Sequence, residues 1–121
     1  NPRILPPFEM IINFHKGSPK ILEKGTTDLT KEEFINWTNG LWVMAPESAK
    51  KRKHPAPYPE EFAYRCIKMH SYIEGLVVDP FNGSGTTTAV AKRLSRKYIG
   101  FDITEEYCKL AEERLDNTQS N

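Results

Sequence analysis

Two acids and a pair of glycines occupy positions where α/β proteins do chemistry. In "GLVVDPFNGSGTT", Asp79 closes an apolar run, Gly83-Ser84-Gly85 follows it, and the hydroxyls Thr86 and Thr87 come next. Asp102 ends the next apolar run, "YIGFD", 17 residues past Gly85. Glycine has no Cβ, so a turn built on it bends tightly and lets a ligand approach the backbone. An acid at the second position can accept hydrogen bonds from ribose hydroxyls. Each charge-assisted bond of that kind is worth about 1.5–3 kcal/mol. Two acids at neighbouring strand ends, with a glycine turn between them, describe a nucleoside-type cofactor site. The plainer alternative is that the glycines only make a tight strand-to-helix turn.

The residues also narrow the cofactor. A phosphate-cradling loop needs a Lys after its glycines, and none follows here. The dinucleotide fingerprint needs glycine at position 88, which is Thr88, and begins with glycine straight after the strand, where Asp79-Pro80-Phe81-Asn82 intervene. A carboxylate aimed at a pyrophosphate is unfavourable. It suits a cationic, phosphate-free ligand such as S-adenosylmethionine, with its sulfonium, amine and ribose.

The elements that must position these residues read as a β-α-β-α series. "LVVD" (76–79) is an apolar strand and "TTTAVAKRLSRK" a helix. "YIGFD" (98–102) is the next strand, and "TEEYCKLAEERLD" a helix with Thr104 as N-cap and two acids in its first turn. Alternation of this kind predicts a parallel sheet covered on both faces, with right-handed crossovers. Ligands bind such sheets beyond the carboxyl ends of the strands, where both acids lie. Upstream, "FEMIINFHKG" (8–17) and "LWVM" (41–44) read as strands. "LTKEEFINWTNG" (29–40) reads as a short helix, with Thr30 and Glu33 forming a capping box and Gly40 stopping it. "APESAKKRKHPAPYP" (45–59) carries four prolines and reads as an extended crossing segment. Pro59 suits the first turn of a helix over "PEEFAYRCIKMHS", whose apolar face is Phe62, Ala63, Cys66 and Ile67.

Composition bounds the rest. The 121 residues suit one domain or part of one, and 38% apolar content supports a real core. No apolar run approaches a membrane span and "NPRILPPF" has no signal-peptide layout, so a cytoplasmic protein with no membrane association is expected. Cys66 and Cys108 stand alone, and His15, His54 and His70 are scattered, so neither a disulfide framework nor a metal site is expected. Net charge is +1 but uneven: residues 1–54 carry nine Lys or Arg against six acids, and residues 55–121 carry eight against ten. The excess concentrates in Lys50, Lys51, Arg52 and Lys53, which read either as a solvated loop or as a contact to nucleic-acid phosphate.

At this point the chain resembles a known family. "DPFNGSGTT" is similar to the S-adenosylmethionine motif of the DNA amino-methyltransferases, which methylate the exocyclic amine of adenine or cytosine. "HPAPYPEEFAYRCI" (54–67) resembles the family segment just upstream, whose loop and helix start flank the methionine end of the cofactor. "YIGFDITEEYCKLAEERL" (98–115) resembles the following strand and helix, and "LTKEEFINWTNGLWVMAPES" (29–48) the stretch preceding them all. The likeness covers most of the chain in the family's order and spacing. It implies a Rossmann-like α/β fold with a doubly wound parallel sheet, only part of which is present. Residues 1–53 would form the end of a target-recognition region with an adjoining strand and helix, and residues 54–121 the cofactor-binding half of a catalytic domain.

Carried over residue by residue, Asp79, Phe81, Gly83, Ser84, Gly85 and Thr86 match the glycine-loop motif, Asp102 the ribose acid, and His54, Pro55 and Ala56 the upstream loop. Alternatives stay open for several. Phe81 packs on the cofactor or in the core. Thr86 and Thr87 bond the cofactor or cap the helix. His54 touches ligand, touches phosphate, or is a plain loop residue.

The family's catalytic motif is an Asp, Asn or Ser followed by Pro-Pro and an aromatic. Its acceptor orients the target amine, and its aromatic stacks on the flipped-out base. Leu5-Pro6-Pro7-Phe8 has the shape, but Leu5 has no acceptor, so no catalytic residue is assigned. The resemblance therefore implies the C-terminal part of such an enzyme: a fragment, a proteolytic product, a truncated form or one subunit of a split enzyme. Its partners would be double-stranded DNA and a polypeptide bearing the catalytic motif. A homodimer and a cognate restriction endonuclease are partners the resemblance allows, in a prokaryotic or phage setting. The rival readings are an RNA or small-molecule methyltransferase and a catalytically inert cofactor-binding subunit.

Overall fold

The computed structural model describes residues 8–18, 24–45 and 58–119. The basic run Lys50–Lys53, the loop residues His54, Pro55 and Ala56, and Leu5, Pro6 and Pro7 lie outside the described residues. The elements in chain order are α1 (Lys31–Trp37), α2 (Glu60–His70), β1 (Leu76–Asp79), α3 (Thr86–Arg93), β2 (Lys97–Gly100) and α4 (Glu105–Asp116).

The strands pair in parallel, with Leu76 opposite Lys97 and Asp79 opposite Gly100. Side chains alternate across a strand. Val77 and Tyr98 therefore face one way, against a core of Ala63, Ile67, Val90, Ala91 and Leu94 from α2, α3 and the turn after α3. Leu76, Val78 and Ile99 are left about half exposed. Among the described residues α2 and α3 cover one face of the sheet and the other face carries exposed apolar side chains, in keeping with a doubly wound sheet of which only part is present.

Local signals set the element ends. Thr30 Oγ1 accepts from the Glu33 N–H at 3.1 Å, and the Glu33 carboxylate accepts from the Thr30 N–H at 2.8 Å, which completes the expected capping box. Pro59 is the N-cap of α2 and not part of its first turn, so the helix begins one residue later than expected. Helix α3 stops at Arg93, four residues before the sequence pattern ends. Ser95 turns left-handed at φ 58°, and the Arg96 N–H reaches back to the Ala91 carbonyl at 2.9 Å. That closure usually falls to glycine, so "RLSRK" gives little sign of it.

Two expectations are corrected. Residues 8–17 and 41–44 form no strand. Phe8, Ile11, Leu41 and Val43 are among the residues lining a shared cleft, but no backbone ladder joins the two segments. An apolar run becomes a strand only when a partner supplies the N–H and C=O groups it lacks.

Two ion pairs dock residues 24–45 onto the sheet and α2. The Arg96 side chain is fully buried and spends its donors on both Asp28 oxygens (2.7 Å each), the Leu94 carbonyl and the Ser71 carbonyl. Lys68 of α2 bonds both Glu33 oxygens at 2.7 and 2.8 Å, and the Arg65 guanidinium lies over the Trp37 and Trp42 rings. Burial opposes ionisation of Asp28 and Glu33, yet the bonds from Arg96 and Lys68 hold both carboxyls below their ordinary values. Removing one partner of a buried pair strands the other charge, so Asp28→Ala is expected to cost about 3 kcal/mol in urea unfolding. A loss below about 0.5 kcal/mol would show that water solvates Arg96 instead. Because the folded pKa values are depressed, the stability from these carboxylates is present at neutral pH. It is expected to fall away as the pH drops below about 4. No helix among the described residues is long and apolar enough to cross a membrane.

Candidate functional site

The site is assembled where the chain leaves the two strands. The parallel pairing continues past the strand ends: the Phe101 N–H donates to the Asp79 carbonyl at 2.9 Å, and the Asn82 N–H to the Phe101 carbonyl at 2.8 Å. This holds the loop after β1 against the loop after β2, so both acids stand at adjacent strand ends. Gly100 makes the approach feasible, since a Cβ there would sit 2.5 Å from Asn82 Nδ2.

The glycine turn is held from three sides. Gly85 is left-handed at φ 81° and serves as N-cap of α3, and a Cβ on it would lie 2.8 Å from that of Ala111 in α4. Both the conformation and the space demand glycine. Asp102 reaches across from the second strand end, where its Oδ2 accepts from the Gly83 N–H at 3.0 Å and its Oδ1 from the Thr104 N–H at 2.9 Å. Asp79 Oδ1 accepts from the Phe81 N–H at 2.9 Å, and its Oδ2 accepts from the Thr87 hydroxyl. Arg114 of α4 donates to Thr86 Oγ1 at 2.9 Å and to Glu60 Oε1 at 2.6 Å. Burial works against the charge on Glu60, but hydrogen bonds from Arg93 and Arg114 hold its carboxyl below the ordinary value. One acid in the first turn of α2 thus ties α3 and α4 together behind the turn. A cleft of about 340 Å³ opens beside this arrangement, lined by Gly83, Ile99, Phe101, Asp102, Cys108 and Ala111 among others. That size lies at the lower end of the range for small-molecule sites.

The structure thus brings together Asp79, Gly83, Ser84, Gly85, Thr86 and Asp102. Thr86 makes no side-chain cap on α3; it is buried and its hydroxyl accepts from Arg114. Phe81 is not core, being 86% exposed. Four side chains that frame the site escaped the sequence reading. Arg114, Glu60 and Asn82 look ordinary in their helix faces and turn. Tyr58 had only its place after the upstream loop to mark it.

Comparison with known proteins agrees with this geometry. The N6_N4_Mtase family model, described as DNA methylase, matches residues 2–113. The type II methyltransferase M.MjaI of Methanocaldococcus jannaschii is 34% identical over a match covering 88% of this chain and 38% of that protein. The Thermus thermophilus protein TTHA0409, solved in complex with S-adenosyl-L-methionine, superposes with a TM-score of 0.64 at 34% identity, over 75% of this chain and 35% of that one. The M1.HpyAVI–SAM complex superposes with a TM-score of 0.59 at 29% identity, over 80% of this chain and 47% of that one. The chain thus spans between a third and a half of the length of these proteins. A single family accounts for the glycine turn, the two strand-end acids and the helices behind them, and this chain belongs to it: the N6_N4_Mtase family of DNA methylases.

Proposed function

We propose that this chain forms the cofactor-holding part of a DNA methyltransferase, which moves a methyl group from S-adenosylmethionine to an exocyclic base amine. The observation that carries this reading is that Asp79 ends β1 opposite Gly100, while Asp102, two residues past the end of β2, bonds the glycine turn through the Gly83 N–H. Asp102 would take the ribose hydroxyls, as an acid at the second strand end can accept hydrogen bonds from them. Asp79 would face the cationic methionine end. Two carboxylates repel a pyrophosphate and favour a cationic ligand. The solved neighbours that carry S-adenosylmethionine support the same cofactor. His54, Pro55 and Ala56 would close the methionine end from upstream. A polypeptide bearing the acceptor-Pro-Pro-aromatic motif would supply the base-holding side.

The family name carries both the N6 and the N4 position. Adenine is the base we favour, and mass spectrometry of nucleosides from the methylated DNA reads it out. N4-methylcytosine in place of N6-methyladenine would reverse that choice.

Lys50, Lys51, Arg52 and Lys53 would bind the DNA backbone. Replacing all four by Gln is expected to weaken binding to every DNA sequence alike and to flatten the salt dependence, by up to about four units of slope. Fluorescence anisotropy across a salt series measures this. An altered sequence preference at unchanged slope would mean base readout. No change in either would return the run to a solvated loop.

A further inference from the structure

The segment leading in from the upstream loop touches the Asp79 carboxylate through a relay of side chains. Tyr58 stands two residues before α2, half-buried against the core, with its ring edge-on to Phe62 at a centroid distance of 5.5 Å. Its hydroxyl meets Thr87 Oγ1, and Thr87 Oγ1 meets Asp79 Oδ2. Counting protons fixes the directions. A carboxylate only accepts, so Thr87 spends its single hydroxyl proton on Asp79. Thr87 must then accept, and Tyr58 is the donor. Burial pushes the Tyr58 phenol up, and the nearby Asp79 charge acts in the same direction, so the donor proton is retained at neutral pH. The other Asp79 oxygen is held by the Phe81 N–H. Both oxygens are thus fixed in direction, and each keeps a lone pair for a further donor.

Packing alone does not call for the Tyr58 hydroxyl. A phenylalanine would fill the same space against Phe62 and the core, but it would leave Thr87 without its donor. Hydrogen bonds in series polarise one another, so a phenol feeding Thr87 strengthens the bond that Thr87 makes to Asp79.

We propose that Tyr58 is a positioning residue for recognition of the cofactor's amine: acting through Thr87, it fixes the Asp79 carboxylate that meets the ammonium group of the methionine moiety. The inference rests on the cofactor reading above.

The test is calorimetry on the protein that carries this chain, with two ligands. S-adenosylhomocysteine has the amino-acid end, whereas 5′-methylthioadenosine keeps the adenosine and sulfur but lacks it. Tyr58→Phe preserves the ring and its packing. It is expected to weaken S-adenosylhomocysteine about fivefold and to leave methylthioadenosine unchanged. Thr87→Val cuts the relay at its middle and is expected to cost at least as much, with no further loss when Tyr58→Phe is added. Thr87→Ser restores the hydroxyl and the affinity. The relay is overturned if Tyr58→Phe binds S-adenosylhomocysteine within twofold of wild type, if both ligands weaken equally, or if the two substitutions multiply. A wild-type protein that binds neither ligand removes the cofactor reading itself, and that outcome is read before any variant is made.

Discussion

Asp102→Ala is expected to weaken S-adenosylhomocysteine binding by about 30- to 700-fold, equivalent to about 2–4 kcal/mol. Two losses combine. The variant removes the carboxylate proposed to accept from the ribose hydroxyls. It also removes the acceptor of the Gly83 and Thr104 N–H groups, which lets the turn move away from the second strand. Thermal unfolding measured alongside separates them. A variant that melts near wild type but binds weakly has lost the ligand contact. A variant that melts far lower has lost the turn. Affinity within threefold of wild type would take Asp102 out of the site.

A polypeptide of these 121 residues is expected to transfer no methyl groups to DNA, even at saturating S-adenosylmethionine. No Asp, Asn or Ser in it is followed by Pro-Pro and an aromatic, and Leu5 has no acceptor for an amine. Without that acceptor the lone pair of the target nitrogen stays delocalised into the base ring and is not aimed at the methyl group. Supplying the catalytic motif on a second polypeptide is expected to restore transfer, provided it can pair with the exposed sheet edge. Tritiated methyl incorporation into duplex DNA measures both arms. Robust incorporation by the 121 residues alone would assign the chemistry to Leu5–Phe8 or to residues not identified above. Cofactor binding that no second polypeptide converts into transfer would favour the inert-subunit reading.

What was legible in the sequence is what neighbours along the chain decide. The capping box of Thr30 and Glu33 spans three residues and formed as read. The strand 76–79 and the helix opened by Thr104 were equally local, and the spacing of Asp79, Gly85 and Asp102 followed from them. Contacts between distant residues were not legible. Asp28 and Arg96 lie 68 residues apart, and neither is marked by its surroundings as half of a buried pair. Glu60 reads as a first-turn acid, yet it links two arginines on other helices. Thr86 sits in the motif, but its side chain is spent on Arg114. Residues 8–17 and 41–44 have the composition of strands, and composition cannot supply the partner that makes one.

The glycine turn and its two acids are proposed to hold a phosphate-free nucleoside cofactor with an amino-acid end. Isothermal titration calorimetry of the protein carrying this chain, with S-adenosylhomocysteine and with NAD, tests it most directly. Saturable one-site binding of S-adenosylhomocysteine and none of NAD is expected. Binding of NAD, or no binding of S-adenosylhomocysteine, would contradict it.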